Sequence, residues 1–186
     1  MVKKIIIGAA VLIVVVLAVL GVAIARQSDE VRVVRSAEIN VMPDKIFPLV
    51  NDFHNWDKWS PWAKVDPNMK VSYSGADSGI GAVYEWSGND DVGEGRMTIR
   101  SNHPPKQIVI DLEFIKPFAA KNITGFDFKQ MGEKTNVTWS MVGKKGLMMK
   151  AFCLVMDMDK TVGADFEKGL AQMKTVAESE ATQSIQ

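Results

Sequence analysis

Residues 147–177 read LMMKAFCLVMDMDKTVGADFEKGLAQMKTVA, and in them Met148, Phe152, Val155, Met158, Val162, Phe166, Leu170, Met173 and Ala177 recur at steps of three or four. That spacing predicts one amphipathic helix, roughly 45 Å long, with a continuous apolar stripe. Such a stripe needs a partner surface. The residues ahead of it supply one, because Ile108, Ile110, Leu112 and Phe114 alternate with Asp111 and Glu113, and Val137, Trp139 and Met141 alternate with Thr138 and Ser140. Period-two alternation places each apolar set on one face of a strand.

Similar strand signals fall at 70–74, 82–87, 95–101, 107–114, 122–130 and 135–143. Between them lie Gly79 and Gly81, the run from Gly88 to Gly93, Pro104-Pro105 and Met131-Gly132-Glu133, all suited to tight reversals. A further strand is predicted from Val31 to Val41, followed by a short helix opened by Pro43 and running through Val50. Residues 51–62 carry Trp56, Trp59 and Trp62 with Pro61, and read as irregular or briefly helical. The predicted fold class is α+β, with a curved antiparallel β-sheet wrapped around a long C-terminal α-helix.

Ahead of this domain, Ile5 to Ile24 form twenty residues without a charge, flanked by Lys3, Lys4 and Arg26. A helix of that length rises roughly 30 Å, which matches the hydrocarbon core of a bilayer. The expected organisation is an N-terminal membrane anchor at 1–26, a linker at 27–30, a ligand-binding domain at 31–178 and a flexible tail at 179–186. Membrane contact through residues 5–24 makes this a single-pass protein. Basic residues leading the apolar run favour a cytoplasmic N-terminus and an extracytoplasmic domain. Ala23-Ile24-Ala25 also fits a small-x-small cleavage rule, so removal after Ala25 is the rival reading.

Beyond residue 26 the chain carries 19 basic and 22 acidic residues, without a basic stripe, so no nucleic-acid partner is expected. The single cysteine, Cys153, offers no disulfide framework and is expected in the core.

The order of elements, with several local phrases, resembles the SRPBCC or START-like superfamily, in particular its polyketide cyclase/dehydrase branch. The phrases are Glu38-Ile39-Asn40 before Pro43, Trp59-Ser60-Pro61-Trp62, Gly81-Ala82-Val83-Tyr84-Glu85-Trp86, Gly93-Glu94-Gly95 leading into Arg96-Met97-Thr98-Ile99, and Thr135-Asn136-Val137-Thr138-Trp139. The resemblance implies a helix-grip fold with an apolar cavity between sheet and long helix, used by relatives to bind hydrophobic molecules. It does not fix one reaction.

Strand parity then proposes the lining: Tyr84, Trp86, Met97, Ile99, Ile110, Leu112, Phe126, Phe128, Trp139 and Met141 from the sheet, closed by Phe152, Val155, Val162 and Phe166 from the helix. Each of these residues alone could equally fill the core. The indoles of Trp86 and Trp139 would offer flat surfaces and N–H donors. Charged Glu85, Arg96 and Arg100 fall on the opposite parity, leaving Tyr84 and Thr124 as the inner polar groups of the strands.

His54 near Asp52 invites a His–carboxylate reading, but no nucleophile accompanies it. Asp157 and Asp159 are two apart, hence about 200° apart around a helix, and are not expected to share a metal. No phosphate loop or calcium loop is complete. Catalytic residues, cofactor and metal are therefore all assigned as none. The tryptophan segment either packs beneath the sheet mouth or serves at a water–lipid boundary or as a gate. Three functions follow from the sequence: a membrane-tethered binder of a hydrophobic small molecule or lipid, a cyclase- or dehydratase-like enzyme, and a protein-interaction module using the outer sheet.

Overall fold

A computed structural model describes residues 2–183, with side chains from residue 4. The chain runs α1 (Val2–Ala25), β1 (Glu30–Ile39), α2 (Pro43–Asn51), a 3-10 helix (Phe53–Lys58), then β2 (Lys70–Gly75), β3 (Ala82–Ser87), β4 (Glu94–His103), β5 (Gln107–Lys116), β6 (Ala120–Met131) and β7 (Lys134–Lys144). Two helices close it, α3 (Leu147–Phe152) and α4 (Met158–Gln183). The seven strands make one antiparallel sheet in the order β1-β7-β6-β5-β4-β3-β2, so only β1 is displaced from a simple meander, pairing with β7. This is an α+β helix-grip fold, with α4 gripped by the sheet.

Alternation decides the faces as the sequence predicts. Ile108, Ile110, Phe126, Phe128, Val137 and Trp139 turn inward and are buried. Glu85, Arg96, Arg100 and Asp111 turn outward, where Arg96 lies 3.7 Å from Glu85 and Arg100 pairs with Asp111. α4 is fastened along β1. The Arg35 guanidinium reaches Glu167 at 2.7 Å and Asp159 at 3.0 Å, while Lys174 donates to the Glu38 carbonyl at 2.9 Å and Glu178 accepts the Asn40 amide at 2.8 Å.

One expectation fails at the C-terminal helix. It is broken between Phe152 and Met158, and the reason is local: Asp157 caps a new helix, its Oδ1 accepting the Lys160 amide at 3.2 Å. Asp159 in the first turn adds negative charge where the helix dipole favours it. Val155, in phase with the stripe, therefore lies on the connection and is 87% exposed. Cys153 sits half-buried in the same connection rather than in the core. α4 then continues through Gln183, past residue 178 where the sequence reading ends the domain; residues 184–186 of the expected tail lie outside the described residues.

α1 includes a segment, Lys4–Ala25, long and apolar enough to cross a membrane, and none of it is buried against the rest of the chain. A signal sequence would share those properties.

Candidate ligand-binding site

The concave face of the sheet is divided along the strand axis. At one end α2, the 3-10 helix and the second half of α4 press onto it: Phe47 meets Phe128 at 5.6 Å between ring centroids, Trp59 meets Phe126 at 5.9 Å, and Leu170 and Met173 are fully buried. At the other end these layers stop short, and a cavity of about 410 Å³ opens between the sheet, the first turns of α4 and α3. That volume lies within the ~300–1,000 Å³ usual for small-molecule sites.

The division sorts the sequence-derived lining. Tyr84, Trp86, Met97, Leu112, Trp139, Met141, Phe152, Val162 and Phe166 border the cavity. Ile99, Ile110, Phe126 and Phe128 do not. They share its face but lie at the sealed end, inside the core. Val155 is excluded by the helix break and points to solvent. On each strand the boundary falls between neighbours two residues apart, as with Leu112 against Ile110 and Thr124 against Phe126.

The aromatic wall is built tightly. Trp139 stacks on Phe166 with centroids 3.9 Å apart and planes 4° from parallel, and on Phe126 from its other side at 4.9 Å. Its indole donates to Thr124 Oγ1 at 3.0 Å, and Thr124 in turn donates to the Ser140 carbonyl at 2.8 Å. The Trp86 indole donates to the Val92 carbonyl at 3.0 Å and its ring crosses Gly95, where a β-carbon would collide with it. Both N–H groups are thus committed to the protein, so these rings present flat apolar surface rather than free donors.

The tryptophan segment is resolved in the same way. Trp56 and Trp59 are buried, donating to the carbonyls of Val50 at 3.0 Å and Leu49 at 2.7 Å. Trp62 is half-buried on the cavity wall beside Trp139 and Phe166. Burial withdraws Trp56 and Trp59 from any role at a lipid boundary.

Polar residues on the cavity wall are Ser60, Tyr84, Asn122, Thr124 and Asp165, with the exposed Asp91 and Lys144. The Tyr84 hydroxyl is held neutral, its pKa pushed up to about 12 by burial and then by the nearby Tyr73 and Asp57 charges. Asn122 lies across Gly143. Among the described residues, neither the Tyr84 hydroxyl nor the Asn122 amide makes a hydrogen bond.

Asp165, on the first half of α4, is a lining acid that the sequence reading passes over, since that reading took only apolar residues from the helix. Burial raises its pKa, against the opposing pull of Lys168 and the Trp62 indole. Its position was open to inference, since Val162, Asp165 and Phe166 stand at i, i+3 and i+4 and share one helix face. Ser60, Trp62, Met69, Phe114, Phe118, Met148 and Met149 also border the cavity. Phe114 follows from the alternation of β5 and Met148 from the helical stripe, whereas Ser60, Trp62, Met69 and Phe118 lie outside the strands and no period announces them.

Elsewhere, His54 Nδ1 lies 2.8 Å from Asp52 Oδ1 on the surface, its ring stacked on Tyr73, and it takes no part in the cavity wall. Among the described residues, no three His, Cys, Asp or Glu side chains gather as a metal-ion set.

Residues 30–178 match the family described as polyketide cyclase / dehydrase and lipid transport, and the chain belongs to that family. The solved structures it resembles include protein CV1439 from Chromobacterium violaceum, 12% identical with a TM-score of 0.57 over 81% of this chain and 97% of that one. Protein MLL2253 from Mesorhizobium loti is similar at 14% identity, with a TM-score of 0.59 over 80% and 98% of the two chains. The di-domain ARO/CYC StfQ from the steffimycin biosynthetic pathway is 12% identical with a TM-score of 0.60, over 82% of this chain and 52% of that one. These likenesses establish a shared fold. No curated protein matches the sequence. Family and fold together support a role in binding hydrophobic ligands or in cyclase-like chemistry.

Proposed function

We propose that this chain is a membrane-tethered protein that binds a hydrophobic small molecule or lipid in the cavity between the sheet and α4. The observation that carries the reading is the 410 Å³ space walled by Tyr84, Trp86, Met97, Leu112, Trp139, Met141, Phe152, Val162 and Phe166. Burying about 300 Å² of apolar ligand surface there contributes roughly 7 kcal/mol gross at 25 cal/mol per Å², before association costs, so micromolar affinity needs few polar contacts. The Tyr84 hydroxyl and the Asn122 amide are the groups that would meet a polar end of the ligand. α1 serves as the anchor, with its N-terminus cytoplasmic and the domain outside.

The test is native mass spectrometry of the full chain, extracted from membranes in mild detergent, before and after mild unfolding. A co-purified apolar molecule that is lost from the Leu112→Trp variant, with unfolding behaviour unchanged, supports the reading. An empty cavity that takes up no lipid in either form overturns it.

A cyclase- or dehydratase-like activity is the second reading, favoured by one observation: Asp165 is an acid on the cavity wall, and burial raises its pKa. Turnover of a polyketide-like substrate that survives in wild type but is abolished in Asp165→Asn or Tyr84→Phe would favour it.

A further inference from the structure

Contacts join the end of α1 to the rim of the cavity. Two residues beyond the helix, the Gln27 side chain donates to the Lys150 carbonyl at 3.0 Å. Asp29 pairs with the Lys150 ammonium, and the Asp29 carbonyl accepts the Lys145 amide at 2.8 Å. α3 is thus tied to the segment that leaves α1. Residues 26–29 reach at most ~14 Å even when fully extended. With α1 across a bilayer, α3 is therefore held close to the headgroup layer, itself ~5–8 Å deep in each leaflet.

At that place α3 and its surroundings present an apolar surface. Leu147 is 73% exposed and Met148 66%, and Leu154, Val155 and Met156 follow on the connection to α4. Across the rim stands Phe118, also exposed, its ring 6.5 Å from that of Phe152. Met148, Phe152 and Phe118 border the cavity as well, so the exposed surface and the cavity mouth are continuous. Exposed alongside are Arg26, Arg32 and Lys144, together with the acids Asp29, Glu30, Asp157 and Asp159. Apolar tips with a margin of mixed charge suit the interfacial layer of a bilayer, where apolar side chains reach the acyl boundary and charges stay among the headgroups, and an apolar cluster of this kind calls for an occupant.

We propose that α3, the α3–α4 connection and the Pro117–Phe118 turn insert into the interfacial layer of the bilayer that holds α1, so that the cavity opens onto lipid rather than water. The inference rests on α1 being a retained anchor and is independent of which ligand fills the cavity. A lipid surface is preferred over a second protein because the Gln27 and Asp29 contacts bring this surface to the membrane without any further partner.

Cys153, the only cysteine of the chain, lies in the α3–α4 connection and provides the probe. The full chain, carrying a nitroxide on Cys153, is reconstituted into vesicles of phosphatidylcholine and phosphatidylglycerol, and relaxation by oxygen is compared with relaxation by a water-soluble nickel chelate. Oxygen should dominate, as for a lipid-facing site, and a double variant with Leu147→Asp and Val155→Asp, both at exposed positions, should return the label to water. A label relaxed chiefly by the nickel chelate, in vesicles that retain the chain through an alkaline wash, overturns the insertion while leaving the anchor in place. A chain that washes off overturns both. Dipolar broadening that disappears on dilution with unlabelled chain assigns the surface to a second copy and also overturns the proposal.

Discussion

Trp139 is clasped by Phe166 and Phe126, and Gly169 is the residue that lets α4 approach it. A β-carbon at Gly169 would fall 2.8 Å from Trp139 Cζ3 and 3.0 Å from Pro61 Cδ. In an open helix, Gly to Ala gains ~1 kcal/mol. Here the buried ring has no room to retreat, and overpacking of ~1–3 kcal/mol outweighs the gain. Gly169→Ala should therefore lower the urea midpoint of unfolding, and a raised midpoint would refute the account. Tyr84 makes a prediction in pH. Its neutral form is favoured in the fold, so its contribution is complete below the ordinary value of 10 and is lost as pH climbs from 10 through about 12, because the unfolded chain surrenders its proton first. Across that window wild type should lose stability faster than Tyr84→Phe, as read from unfolding midpoints at stepped pH. Parallel curves would show that the hydroxyl is not buried as described.

At the scale of elements, the break before α4 turns on one side chain. Removing the Asp157 cap should cost about 1 kcal/mol in Asp157→Ala, while Asp157→Asn, which keeps an accepting oxygen, should stay close to wild type in chemical denaturation. The strands and the faces of the sheet were legible in the sequence because alternation depends only on neighbouring residues, and the inward turn of Ile110, Leu112 and Trp139 follows from it directly. Three things were not. The stripe from Met148 to Ala177 keeps its phase across the break, which hid the cap and misplaced Val155. Parity names the face of a strand but not how far along it a helix layer seals, so Ile99, Ile110, Phe126 and Phe128 could not be told from Met97, Leu112 and Thr124 before α2 and the tryptophans were seen in place. Asp165 shares a helix face with Val162 and Phe166 but is charged, so a reading that followed apolar residues alone passed it over, and Trp62 stands in an irregular segment whose gating and packing readings no period could separate.

For the whole molecule, the proposed anchor is tested by fractionation. The full chain should remain with membranes through an alkaline carbonate wash, its intact mass should include residues before Ala25, and residues 27–186 alone should leave the membrane fraction. A mass beginning at Arg26 would instead establish cleavage and a released domain. The divided sheet has a wider consequence. Phe47, Phe128, Leu170 and Met173 fill the sealed end, and Met97, Trp139, Met141 and Phe166 are buried members of the same core that also border the cavity, whereas Leu112 and Val162 on the wall are only partly buried and can be exchanged at lower cost to folding. Ligand choice can thereby be retuned most freely at the partly buried wall positions, by selection or by laboratory design, while Trp139 and Phe166 serve the fold and the cavity at once.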